Sequence, residues 1–435
     1  MLRPAPAGAY WLGIWFAAAV GVSFWPVVID AWWGVGLAGL VLALLDAVAA
    51  RRTPAPGIER RVPNSMALGQ ATDIALRAHN AGSRRLDLGV FDEYAPDMAI
   101  EGLPARLAVP ARGWAEIRYS ARPLQRGVRE FGQVDVLIRS PLRLWWQRRR
   151  LGTAATVRVY PNFAAVAKYA LLATDHRLSQ LGIRHKRRRG EGLEFHQLRE
   201  YRRGDVLRQI DWKATSRYRK LVSREYQDER DQQVFFLIDC GRRMAAQDEG
   251  LSHFDMCLNA VLLLAYVALR QGDAVGVMSF SGTERYLPPQ KGMEVLRTLL
   301  NLLFDLQPSL QAPDYLTAAS AAAQRLRKRS LVVLVSNLRD EDNEEIAAAQ
   351  RLLRQRHLVL IANLRETVLR GLAEREVADF EDAIAVAAAH RYLSARERVH
   401  NALHAQGAYS LDVEPQALSV QLVNGYLDVK RSGRL

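Results

Sequence analysis

The chain has 435 residues, nearly half of them apolar, which is enough for two or three domains with sizeable cores. Its two cysteines, Cys240 and Cys257, exclude a disulfide framework and read as small buried apolar side chains in a reducing compartment. The formal net charge is +14, and +9 of it falls between Arg184 and Arg224, where 14 basic residues face 5 acidic ones. A patch of this kind attracts nucleic acid, anionic lipid or an acidic protein partner, or is simply a solvated surface.

Residues Tyr10 to Ile29 form a 20-residue stretch without a charge, and a second apolar stretch follows Asp30, interrupted only by Asp46. Each is long enough to cross ~30 Å of hydrocarbon as a helix. Residues 1–52 are therefore predicted to be a transmembrane helical hairpin, turning at Pro26 and Asp30. Trp11 and Trp15 are assigned to one interface and Trp25, Trp32 and Trp33 to the other. Asp46, near the end of its stretch, is expected to be interfacial. Arg3, Arg51 and Arg52 flank the hairpin, so the positive-inside rule places both its ends in the cytoplasm. The protein is thus expected in the cytoplasmic membrane, with its soluble domains facing the cytoplasm.

After the linker Thr53 to Gly57, short alternating segments separated by Gly, Pro and Asn predict an antiparallel β-sandwich over residues 58–161. It carries no catalytic cluster, and its one histidine, His79, reads as structural. Residues 162–231 follow as a connector, helical from Phe163 to Leu181, and then a basic segment. In that segment Arg199, Arg202, Arg203, Asp205, Arg208, Asp211, Trp212, Lys213 and Arg217 mix charge with aromatics. Trp, Tyr and Arg are the residues that dominate contact hot spots. Ion pairs inside the segment and a packed Trp212 are the competing structural reading.

From 232 to 435 strands and helices alternate. VFFLID is a strand and HFDMCLNAVLLLAYVALRQ a helix. DAVGVMSFSG and RYLPP form a hairpin, followed by two amphipathic helices. SLVVLVSNL, HLVLIANL and AYSLDV are further strands, separated by helices, and ALSVQLVNGYLDVKR closes the chain. The pattern predicts an α/β domain with a mostly parallel, Rossmann-like sheet, whose ligands bind at the carboxyl ends of the strands.

This order resembles the von Willebrand factor A domain. That resemblance implies an ion site built from Asp-x-Ser-x-Ser, a later Thr and a later Asp, all oxygen ligands suited to Mg²⁺. Here Asp239 keeps the first ligand, but Gly241 and Arg243 replace the serines and Asn337 replaces the second Asp. Thr317, behind Asp314, is the candidate threonine. The expectation is a degraded site without metal or cofactor, in which Arg243 pairs with Asp239.

The stretch GLEFHQLREYRRGDVLRQIDWKATSR, together with RPLQRGVREFGQVDVLIRSPLRLWWQ in the β-rich region, is similar to the bacterial family called domain of unknown function 58. That resemblance implies a membrane-anchored interaction module rather than an enzyme. Its partner would be a MoxR-type AAA+ ATPase, with a transglutaminase-like protein as a possible neighbour. The binding residues expected are Asp239, Arg243, Asp314, Thr317 and Asn337 at the strand ends, with Trp212, Lys213 and Arg217 in the basic segment. A Mg²⁺-dependent nuclease or nucleic-acid binder using Asp205, Asp211 and Lys213 is the alternative.

Overall fold

The computed structural model describes residues 2–162, 194–202, 210–227, 232–248 and 250–433. The helix expected from Phe163 to Leu181, the run Arg187 to Arg189, and Arg203, Asp205 and Arg208 lie outside these. The chain falls into two compact units, Met1–Tyr160 and Pro161–Leu435.

The first unit opens with a short strand, β1 (Leu2–Pro4), and two apolar helices, α1 (Pro6–Val22) and α2 (Ile29–Arg52). By length and composition α2 is able to cross a membrane, and α1 is a shorter apolar helix. The helices interlock through aromatic rings over small residues. An ideal Cβ on Gly39 would lie 1.9 Å from the Trp11 ring, so only glycine admits the contact. Trp15 stacks on Trp32 at 4.3 Å between centroids, and each indole N–H points at the other residue's carbonyl. This corrects the assignment of Trp15 and Trp32 to opposite interfaces: the two rings meet at one level and pack the helices together.

Asp46, near the end of α2, has partners that lie far off in the chain. It is buried and accepts hydrogen bonds from Ser140 Oγ (2.6 Å), Leu142 N (2.9 Å) and Leu144 N (3.3 Å). Trp145 Nε1 donates to the Ala43 carbonyl at 2.9 Å, and Ala5 N donates to the Leu144 carbonyl at 2.8 Å. One carboxylate thus satisfies the donors of a β-turn and fastens it to α2, while the Ala5 hydrogen bond ties the same turn to the start of α1. Asp46→Ala is expected to destabilise this unit by about 2 kcal/mol, because three donors to a charged acceptor are orphaned at once. Thermal melts in mild detergent check this against Leu45→Ala, an exposed neighbour whose loss should leave the melting temperature unmoved.

The rest of the unit is β-structure: β2 (Gly57–Arg61), β3 (Ser65–Ala67), β4 (Thr72–His79), β5 (Leu86–Asp92), β6 (Met98–Glu101), β7 (Ala105–Val109), β8 (Trp114–Pro123), β9 (Gly127–Phe131), β10 (Val134–Arg139), β11 (Trp145–Leu151) and β12 (Ala155–Tyr160). They form sheets in the orders β1-β11-β10-β5-β7, β2-β4-β8-β6 and β3-β12-β9. The pairings are antiparallel as the alternation predicted, except that β3 runs parallel to β12. Alternate residues such as Ile74, Leu76 and Ala78, or Val134, Val136 and Ile138, are buried, as the two-residue period of a strand requires. Sequence reading missed β1, which lies before the first apolar helix and pairs with β11.

In the second unit a two-stranded ribbon, β13 (Glu194–Glu200) and β14 (Val222–Gln227), brackets the short helix α3 (Trp212–Tyr218). Beyond it lies an α/β sheet. Its elements are β15 (Gln233–Asp239), the two-residue rungs β16 (Gln247–Asp248) and β17 (Leu251–Ser252), α4 (His253–Arg270), β18 (Ala274–Phe280), β19 (Tyr286–Gln290), α5 (Glu294–Leu303), α6 (Tyr315–Arg325), β20 (Leu331–Ser336), α7 (Asn343–Arg354), β21 (Leu358–Leu364), α8 (Val368–Ala373), α9 (Phe380–Ala405), β22 (Tyr409–Val413) and α10 (Pro415–Arg431). The order β19-β18-β15-β20-β21-β22 is parallel except for the antiparallel edge strand β19.

The strand period sorts the core. Val234, Phe236 and Ile238 face α4, α5 and α10, packing among Val261, Leu299 and Tyr426. Phe235 and Leu237 face α6, α7 and α9, among Tyr315, Ile346 and Leu403. Each such side chain contributes about 1.5–3 kcal/mol when fully buried. Helix α4 would suit a membrane by length and composition, yet most of it is buried in this core. Its start is fixed by a capping box between Ser252 and Asp255.

Candidate functional site

Parallel strands end together, so their carboxyl ends bring polar residues of distant sequence onto one edge. Asp239 ends β15 and is fully buried. One carboxylate oxygen accepts from Gly241 N at 2.7 Å, the other from Ser336 Oγ at 2.6 Å. Tyr315 Oη lies 2.9 Å from Ser336 Oγ. Ser336 spends its one proton on Asp239, so Tyr315 donates to Ser336 and the three form a directed chain. Burial pushes the Asp239 carboxyl up to about 6, against the lowering effect of its two donors. Burial, and next the charge of Asp239, raise the Tyr315 phenol well above its usual range.

Arg243 lies in the turn that follows. The expected pair with Asp239 is replaced by ion pairs to Asp342 and Glu341. The reason is geometric: the acidic turn Asp340–Asp342 offers two carboxylates, whereas the oxygens of Asp239 are already taken by uncharged donors. Asp314 caps α6, accepting from Thr317 N at 2.9 Å. Both Asp314 and Thr317 are exposed.

Asn337 is fully buried but belongs to a second cluster. Its amide donates to Glu366 Oε1 at 2.8 Å and its oxygen accepts from Arg396 at 3.1 Å. Arg396, only 2% exposed, also donates to the carbonyls of Leu338 (2.8 Å) and Leu364 (2.7 Å) and to Asp412 Oδ1 (2.8 Å). It reaches in from α9 to tie the ends of three strands together. Sequence reading missed Arg396, Glu366 and Asp412. Arg396 was findable, because it lies in the stripe Arg396, Val399, Leu403 that α9 turns toward the sheet.

This donor set does not fit a divalent ion. Asp239 has both oxygens engaged, Gly241 and Arg243 supply none, and Asp314 and Thr317 stand on the surface. Among the described residues no group of three or more His, Cys, Asp or Glu is arranged to hold a metal. The strand-end edge is an ordered polar network built around charge neutralisation.

The basic segment gives a different picture. Asp211 caps α3 through Ala214 N (3.0 Å) and pairs with Arg224 (2.9 Å). These donors, Ala214 first, hold its carboxyl below the usual range. An Asp211 so engaged is not free to ligate Mg²⁺ for nuclease chemistry. Trp212 was expected to pack, yet it is 68% exposed. The cap makes it the first residue of a helix whose inner face is Ala214, so the indole projects outward. Lys213 and Arg217 are exposed beside it, as are Tyr218, Leu198 and Leu221.

The comparison with curated proteins found no match. Among solved structures the chain is similar to an alpha-2-macroglobulin of Escherichia coli (18% identity, TM-score 0.20), over 24% of this chain and 7% of that one. It is also similar to an aerotolerance-related membrane protein from Bacteroides fragilis (16% identity, TM-score 0.28), over 45% of this chain and 98% of that one. The chain therefore spans only a small part of the macroglobulin. The family model described as Protein of unknown function DUF58 matches residues 197–409, from β13 through the sheet to the start of β22, and the chain belongs to that family.

Proposed function

We propose that the protein is a membrane-anchored interaction module. Its apolar helices hold it at the cytoplasmic face of the inner membrane, with Arg3, Arg51 and Arg52 on the cytoplasmic side. Its α/β unit acts as a von Willebrand factor A-like domain that presents a surface to another protein. A MoxR-type AAA+ ATPase is the partner implied by the family resemblance. The observation that carries this reading is the exposed Trp212 on α3, flanked by Lys213, Arg217 and Tyr218. An indole this exposed adds little to the packing of the fold, and beside cations it suits a contact with an acidic protein face. The strand-end network then serves to hold the sheet rather than to carry out a reaction.

The test compares wild type with Trp212→Ala, each purified from membranes as the full chain. Trp212→Ala should change stability by no more than about 0.5 kcal/mol, since exposed substitutions seldom do more. It should also abolish co-purification of the ATPase, followed by quantitative mass spectrometry at low and high salt. Equal recovery on both proteins would refute the assignment. Salt-sensitive binding of single-stranded DNA that needs Trp212 would favour the nucleic-acid reading instead.

A further inference from the structure

The opposite edge of the sheet carries a cleft of about 310 Å³, lined by Arg329, Arg354, Arg356, His357, Gly407 and Tyr409 among others. Strand pairing builds it. Leu331 of β20 is in register with Leu358 of β21, and Leu358 N donates to the Ser330 carbonyl at 3.0 Å. Arg329, just before β20, and Arg356, in the turn before β21, both line the cleft. Like charges lining one cleft repel, and among the described residues no carboxylate lines it to offset them. Arg354 is fixed as the third cation. Its guanidinium donates to the Gln406 carbonyl and lies across Gly407, whose φ is +82°, and a Cβ there would come within 2.7 Å of it. His357 is only 4% exposed, and neither of its ring nitrogens has a hydrogen-bond partner among the described residues. A buried imidazole without a partner is costly unless something in the cleft supplies one.

Three arginines and an unmet imidazole call for one kind of group: anionic, and rich in acceptor oxygens. We propose that this cleft binds the phosphoryl group of a small molecule. The arginines take its oxygens in forked pairs and His357 donates to a remaining one. The site is separate from the polar network at the carboxyl ends of the strands and does not depend on the partner proposed above. It gives the α/β unit a small-molecule input of its own. Burial, and then Arg356 and Arg329, hold the His357 imidazole below its usual range, and a bound dianion would act in the opposite direction.

The test uses the full chain in detergent, with histidine rings isotopically labelled, and adds inorganic phosphate, ADP or sodium chloride at matched ionic strength. Phosphate or ADP should raise the His357 pKa and the melting temperature, and chloride should do neither. Binding of ADP at least about tenfold tighter than that of inorganic phosphate would identify a nucleotide as the source of the phosphoryl group, and comparable binding would point to free phosphate. In Arg329→Gln/Arg356→Gln the melting temperature without ligand should hold or rise, because two of the like charges lining the cleft are removed, while the phosphate response is lost. A double variant that still responds fully, or a His357 signal unmoved by both phosphate and ADP, would overturn the proposal. So would binding of an acidic peptide in the cleft with no binding of phosphate.

Discussion

Arg396→Ala is expected to destabilise the α/β unit by about 3–5 kcal/mol, the cost of removing one partner from a buried ionic cluster. The guanidinium donates to two main-chain carbonyls, Asn337 and Asp412, and lies 4.0 Å from Glu366. Without it the carbonyls of Leu338 and Leu364 lose a donor, and Asp412 and Glu366 are left partly buried around an empty space. The loss should exceed that of Val399→Ala one turn along the same helix, which removes only apolar contact. Arg396→Lys should recover part of the stability, because an ammonium supplies the charge but not the planar fork that reaches three strand ends. Urea titrations of the full chain in mild detergent separate the three variants. A loss below about 1 kcal/mol in Arg396→Ala would mean that water replaces the guanidinium and that the network does not hold the strands.

The α/β unit was the most legible part of the sequence, for a physical reason. A parallel strand covered on both faces must be apolar throughout, so Val234 to Ile238 and Leu331 to Val335 announce themselves without reference to anything distant. Connections between partners remote in the chain did not announce themselves. Asp46 is visible as a charge in an apolar run, but its donors lie 94 to 98 residues downstream. Arg243 stands four residues after Asp239, which made that pair tempting. Its actual partners are 98 and 99 residues away, at a turn that only the folded sheet brings close. Trp212 was misplaced for a local reason. Asp211 with Ala214 three residues on is a helix cap, and reading the stretch as a strand put the indole inside. Of the strand-end residues singled out, Asp239 and Asn337 are central to buried clusters, while Asp314 and Thr317 make an ordinary helix start.

The charge state of Asp239 offers a second large and measurable effect. Burial raises its carboxyl from 3.8 to about 6, so the folded protein holds that proton more tightly than the unfolded chain does. Its contribution to stability is therefore fully present below pH 3.8 and is lost as the pH rises through 6. Above that window the fold carries a buried carboxylate, at a cost on the order of 3 kcal/mol for a shift of this size. Asp239→Asn mimics the protonated acid. Its oxygen accepts from Gly241 N, its amide donates to Ser336 Oγ, and the Ser336 proton turns toward Tyr315. Wild type and variant should therefore be of similar stability near pH 4. At pH 7 the variant should be the more stable by about 2–3 kcal/mol, the change falling between those two values. Urea titrations at several pH values read this directly as the difference between the two proteins, in which the titration of every other group cancels. A difference that stays flat with pH would place the Asp239 carboxyl near its ordinary value. One that grows toward low pH would mean that the two donors outweigh burial and that the folded state favours the charged form.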